Sequence, residues 1–97
     1  MMDEYDILIT EQAESNLDEI IYFLQTQWSA RVKIDFLATV AEKMQLLATM
    51  PYLYKASATE PDVRACLISR QVTMYYRVSD TDRRIEVLSF KDNRRGD

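Results

Sequence analysis

The sequence predicts an α+β domain with its elements in the order β-α-α-β-β-β: a helical hairpin packed on one face of a small, mainly antiparallel sheet. Three observations predict it. Apolar residues recur at three- and four-residue steps through two consecutive stretches, from about 11 to 27 and from about 29 to 50. Three short runs rich in β-branched and aromatic residues follow after residue 62, one of them alternating strictly. The chain has 97 residues, 47% apolar and 29% charged, which is the size and balance of one ordinary globular domain, so residues 1–97 read as a single unit.

Tyr5 to Thr10 (YDILIT) is short, apolar and partly β-branched, and predicts the first strand. Thr10 is then placed as a helix N-cap, with Glu11 and Glu14 in the first turn, where the helix dipole favours anions. Ala13, Leu17, Ile20, Ile21, Leu24 and Trp28 form one helical face. Ser29 is the next N-cap, followed by Val32, Phe36, Leu37, Val40, Met44 and Leu47 at helical steps. Pro51 disfavours helix in the residue before it and sets the end of this helix near Met50. The connection Gln27-Trp28-Ser29 is short enough to make the two helices an antiparallel hairpin.

Residues 51–62 hold both prolines and no helical period, and read as a loop. Val63–Ser69, Val72–Val78 and Arg84–Phe90 are the remaining strands, with a polar hairpin turn at residues 79–83. In the middle strand Val72, Met74, Tyr76 and Val78 share one face, and Thr73, Tyr75 and Arg77 share the other. The expected core joins Leu17, Ile21, Leu24, Phe36, Val40, Met44 and Leu47 to the first of those faces.

Composition removes several kinds of chemistry. There is no histidine, hence no Ser-His or Cys-His dyad and none of the usual zinc sites; the six serines have no imidazole to activate them. The single glycine, Gly96, is second from the end, so no glycine-rich loop cradles a phosphate. One cysteine, Cys66, permits no disulfide within the chain and points to a reducing compartment. The acidic start, Met1-Met2-Asp3-Glu4, is unlike a secretory signal, and no apolar run is long enough for a membrane span. No cofactor motif is present, and neither a catalytic nor a metal-ligating set stands out. Glu11, Glu14 and Asp18 fall on one helical stripe, which a solvated face explains better than a cation site.

Charge is polarised along the chain: residues 1–63 carry net −7 and residues 64–97 net +3, for −4 in all. A net-acidic chain makes a poor non-specific ligand for nucleic acid, so no stable direct binding to it is expected. The cations of the last third nevertheless suggest a surface. If Arg64, Cys66 and Ile68 share the face of Tyr75 and Arg77, away from the helices, that face offers cations and an aromatic ring; the alternative is solvated arginines paired with Glu86. Lys91-Asp92-Asn93-Arg94-Arg95 is a basic tail, either a contact for a partner or a soluble terminus. Tyr52 and Tyr54 are expected to pack over the end of the core. Trp28 is either a plug at the helix hairpin or a partner's anchor.

Three stretches carry a resemblance over nearly the whole chain. They are Thr10 to Leu24 (TEQAESNLDEIIYFL), Val63-Arg64-Ala65-Cys66 leading into Tyr75-Tyr76-Arg77-Val78, and Ile85 to Arg95 (IEVLSFKDNRR). In this order and spacing they resemble the RelE/ParE superfamily of toxins from type II toxin–antitoxin modules, closer to ParE than to RelE. The resemblance implies a cytoplasmic toxin of a plasmid-stabilising kind, neutralised by a cognate antitoxin whose C-terminal segment wraps the helix hairpin and sheet. ParE-like members are DNA gyrase inhibitors that act by binding. RelE-like members are ribosome-dependent mRNA endoribonucleases that need arginines or lysines around the scissile phosphate and a tyrosine or histidine for proton transfer. This sequence departs from the nuclease pattern: Ile68 stands where nuclease members carry a catalytic arginine, Asn93 stands near a second such position, and no tyrosine follows Tyr76. With the cations and ring singled out above, the expected target-binding residues are Arg64, Tyr75, Arg77, Lys91, Asn93, Arg94 and Arg95, and the expected antitoxin contact is Trp28. Two alternatives stay open: a RelE-like nuclease, and a toxin-fold protein that is no longer toxic and keeps only antitoxin binding.

Overall fold

The computed structural model describes residues 4–93. β1 (Asp6–Ile9) leads into α1 (Glu11–Gln27) and α2 (Ala30–Thr49), followed by β2 (Arg64–Leu67), β3 (Val72–Ser79) and β4 (Arg84–Asp92). The four strands form one sheet in the order β1-β4-β3-β2, with β1 parallel to β4 and the other pairs antiparallel. The predicted order and fold class are those observed. α1 lies across β4, and α2 leans on α1 and on β1. None of the described helices is long and apolar enough to cross a membrane.

Both helices start at the predicted caps. The Thr10 hydroxyl accepts from the Ala13 amide at 3.2 Å, and the Ser29 hydroxyl from the Val32 amide at 3.2 Å, each satisfying a first-turn donor that has no partner within its helix. Thr10 does more: its hydroxyl also donates to the carbonyls of Val87 at 2.9 Å and Leu88 at 3.2 Å, and its amide donates to Val87 at 3.1 Å. One side chain thereby joins the end of β1, the start of α1 and the middle of β4. Further along α1, the Asn16 side-chain oxygen accepts from the Phe90 amide at 3.1 Å, satisfying a β4 edge donor beyond the reach of β1.

β4 runs two residues past its predicted end and carries an irregularity that periodicity alone does not place. Tyr75 pairs with Ser89 but Tyr76 pairs with Val87, so Leu88 is an extra residue, a β-bulge. The bulge switches the parity of the strand: Ile85 and Val87 face the helices before it, and Phe90 faces them after it. All three are buried.

Of the expected core, Leu24, Phe36, Val40, Leu47, Val72, Met74 and Tyr76 are buried, while Leu17, Ile21, Met44 and Val78 are only partly so. Ala13 and Ile20, rather than Ile21, share the deepest stripe of α1 with Leu24. Trp28 continues that stripe in sequence but is 63% exposed. Its amide closes α1 on the Leu24 carbonyl at 3.0 Å, so its backbone, not its ring, serves the hairpin, and a plug is not what it makes.

Leu47 is fully enclosed, and Leu47→Ala should cost about 2–5 kcal/mol in chemical denaturation, the range for a large core residue that leaves a cavity. Thr10→Ala should lose about 1–2 kcal/mol, at the upper end for an N-cap because the bonds to β4 go as well, and Thr10→Ser should recover most of it.

Candidate functional site

Strand parity decides which of the candidate residues meet. Cross-strand partners share a face, and β2 pairs Arg64 with Tyr76, Ala65 with Tyr75 and Cys66 with Met74. Ile68 closes the hairpin by donating its amide to the Val72 carbonyl at 2.9 Å. The loop between them, Ser69-Arg70-Gln71, has an odd number of residues and so aligns even positions with even ones. Arg64, Cys66 and Ile68 therefore lie on the helix-covered face with Tyr76, Met74 and Val72. The expectation that they join Tyr75 and Arg77 is corrected: Cys66 and Ile68 are core residues. Burial raises the Cys66 thiol pKa, keeping it a neutral thiol rather than a nucleophile.

The open face carries Tyr75, Arg77 and Lys91. Arg77 meets Glu86 at 3.4 Å, and Arg84 meets the same Glu86 at 3.4 Å and Asp82 at 3.3 Å. The pairing of Arg77 with Glu86 is the structural alternative set out above, and such partly exposed pairs hold geometry more than they add stability. Asn93 donates its side-chain amide to the Thr73 hydroxyl at 3.2 Å, fixing the end of β4 to β3. Between this face and the loop before β2 lies an open hollow of about 410 Å³, lined in part by Ser57, Thr59, Glu60, Tyr75, Ser89 and Lys91. Tyr75 and Lys91 thus share one polar surface, with Arg77 further along the same face. Arg94 and Arg95 lie outside the described residues.

A second cluster gathers at the end of the sheet where β1 begins. The Asp80 carboxylate, in the β3–β4 turn, accepts from the Tyr5 phenol and from the Tyr52 phenol, each at 2.6 Å. The Arg83 guanidinium stacks 4.7 Å from the Tyr5 ring and that of Arg64 4.8 Å from the Tyr52 ring. Arg64 also donates to the Tyr54 carbonyl at 2.6 Å, and Lys43 donates to the Tyr54 phenol at 3.5 Å. Tyr54 packs against the core as expected, whereas Tyr52 stays half exposed. Tyr76 is enclosed and donates to the Pro51 carbonyl at 3.3 Å; burial, above all, pushes its phenol up to about 12. Arg64 is therefore a brace for the loop, set apart from the open-face cations. The sequence holds no local signal for the Asp80 cluster, because Tyr5 and Asp80 stand 75 residues apart.

Trp28 marks a third feature. It lines an apolar groove of about 400 Å³ with Leu24, Val32, Phe36, Ile68 and Val72, where α2 stands away from the start of β3. Leu67, on the adjoining edge strand, is 56% exposed. Among the described residues, no group of three histidine, cysteine or carboxylate side chains could hold a metal ion.

The profile described as the ParE toxin of the type II toxin–antitoxin system parDE matches residues 7–96. No curated protein matches the sequence. Among solved structures, the chain is similar to one from the chromosomal ParDE toxin–antitoxin system of P. aeruginosa, with 16% identity, a TM-score of 0.74, and coverage of 93% of this chain and 97% of that one. It is similar to a YoeB/ParE toxin from Agrobacterium tumefaciens, with 14% identity, a TM-score of 0.68, and coverage of 90% and 96%. It is also similar to a chain of the RelBE2 toxin–antitoxin complex of Mycobacterium tuberculosis, with 17% identity, a TM-score of 0.66, and coverage of 92% and 98%. At such identities these likenesses establish the fold.

The Asp80 cluster has a pH signature. Hydrogen bonds from Tyr5 and then Tyr52 hold the Asp80 carboxyl below its ordinary value of 3.8. A carboxylate more acidic in the folded state adds stability that is complete above the unfolded pKa and is lost as pH falls through the lower, folded one. The melting temperature of the wild type should therefore drop more steeply below about pH 4 than that of Asp80→Asn, whose curve should run flatter there.

Proposed function

The chain belongs to the ParE toxin family of type II toxin–antitoxin systems, and from that premise we propose that it is a toxin acting by binding, with DNA gyrase as its target and a cognate antitoxin as its neutraliser. The observation that carries binding over nuclease chemistry is Ile68. The resemblance to nuclease members sets a catalytic arginine at that position; here the side chain is buried under the helices. A side chain buried there reaches no substrate, so this chain offers no catalytic group at that position. The sequence also lacks histidine, the commonest proton-transfer group.

In this reading the target surface is the open face and its C-terminal continuation: Tyr75, Arg77, Lys91 and Asn93, followed in sequence by Arg94 and Arg95. Such a surface can supply electrostatic steering and an aromatic anchor without moving a proton. The antitoxin lies over the helix hairpin, with Trp28 at the rim of the apolar groove as its anchor. Trp28 is the largest exposed apolar ring beside a concave surface, which is the setting in which such residues dominate binding.

Induced expression of the chain alone should arrest growth, and co-expression with the small protein encoded by the adjoining gene should restore it. Arg94→Ala/Arg95→Ala should leave the melting temperature unchanged and abolish the arrest. Single substitutions at Tyr75, Arg77 and Lys91 should give graded losses, because a binding surface spreads its energy over several contacts. The deciding assay pairs gyrase-mediated DNA cleavage with cleavage of ribosome-bound messenger, using one preparation. Codon-specific messenger cuts, with one residue whose loss costs about 100-fold or more, would assign the protein to nuclease chemistry instead. Unimpaired growth at high soluble expression without the adjoining gene would mark a fold that has kept antitoxin binding alone.

A further inference from the structure

We infer that β1 is a releasable edge strand, held closed by a clasp in which the Asp80 carboxylate receives the phenols of Tyr5 and Tyr52. β1 is four residues long, lies at the edge of the sheet and pairs only with β4, in parallel. Parallel pairing is slightly weaker per residue than antiparallel pairing. The strand contributes little to the core: Leu8 and Ile9 are exposed and Ile7 is only partly buried. A segment with so few buried apolar contacts opens at lower free energy than the core it covers.

What holds β1 is concentrated at its two ends. At the far end, Thr10 is built into the α1 cap. At the near end, the Tyr5 amide donates to the Ala48 carbonyl at 2.8 Å, the Asp6 amide to the Arg83 carbonyl at 3.0 Å, and the Tyr5 phenol to Asp80 at 2.6 Å. Tyr52 takes the other oxygen of the same carboxylate, so the loop after α2, the β3–β4 turn and the start of β1 are tied through one group.

The β3–β4 turn presents the other half of the clasp. Arg83 has φ of 50°, the left-handed region, which is unfavourable for a side chain with a Cβ. In that conformation its carbonyl receives Asp6 and its guanidinium covers the Tyr5 ring. The turn is also closed within itself, the Arg83 amide donating to the Asp80 carbonyl at 3.2 Å, so Tyr5 docks on a surface the turn already presents. Release hinges before Thr10, leaves the α1 cap and its bonds to the Val87 carbonyl intact, and uncovers the outer backbone edge of β4 at Arg84–Glu86.

Hydrogen exchange at pH 7 on the isolated full-length chain tests this without any toxin assay, so its result is independent of the target and of the antitoxin. In the wild type, the amides of Asp6 and Leu8 should exchange at least about tenfold faster than those of the β3–β4 pair. Asp80→Ala should speed the β1 amides by about a further tenfold, the factor expected from losing a hydrogen bond to a charged group, and leave the β3–β4 amides unchanged. Tyr5→Phe, which keeps the ring over Arg83 and removes only the donor, should act in the same direction by a smaller factor. The inference is overturned if wild-type β1 and β3 amides exchange in step, if Asp80→Ala speeds both sets by the same factor, or if neither variant changes the β1 amides.

Discussion

Thr10 is the point on which the rest of the structure turns. Its hydroxyl accepts from the first turn of α1 and donates to the two carbonyls that flank the irregularity in β4. That contact sets α1 over β4 at the place where the strand gains its extra residue. The bulge at Leu88 then decides which β4 side chains face the helices: with unbroken alternation Phe90 would point away from the core and Ser89 into it. The Thr10 contacts and the bulge thus meet at one place, where β4 changes which of its side chains turn to the helices.

The core that results is small, and polar contacts complete it at both ends. Where β1 ceases to cover the edge of β4, Thr10 and Asn16 take over its exposed backbone groups. At the opposite end the Tyr76 phenol reaches the Pro51 carbonyl, Arg64 holds the Tyr54 carbonyl, and Asp80 gathers two further phenols. The neutral Tyr76 hydrogen bond nets only about 0.5–1.5 kcal/mol, and the charge-assisted bonds of exposed Asp80 are screened by water. The importance of these contacts is positional: they fix a fourteen-residue connection and a short edge strand that bury too little apolar surface to hold themselves.

The same packing separates two surfaces. The open face presents Tyr75, Arg77 and Lys91, with Arg77 already paired to Glu86. The groove beside Trp28 opens where α2 stands clear of the sheet, on the helix-covered side. A target bound on one and a neutralising chain seated on the other would each have its own contacts, so the proposed target and antitoxin functions can be separated by substitution.

The element order, both N-caps, the helix hairpin and the helix-facing side of β3 were legible in the sequence, because each rests on a local period or a single side chain acting on its neighbours. Thr10, Ser29 and Pro51 mark boundaries by chemistry that operates within four residues, and Val72-Thr73-Met74-Tyr75-Tyr76 displays its two faces by alternation alone. The facing of Arg64, Cys66 and Ile68 was not legible. It depends on which residues of β2 and β3 pair, and that follows from the length of the connecting loop, a relation between strands that neither strand carries in itself. Nor was the convergence of Tyr5, Tyr52 and Asp80, which periodicity cannot report across 75 residues. Sequence by itself determined what each segment becomes, since secondary structure is written in neighbouring side chains. Only the tertiary structure decided which side chains meet, because register, bulge and loop length act between segments and convert a list of candidate residues into two separate surfaces and a clasp.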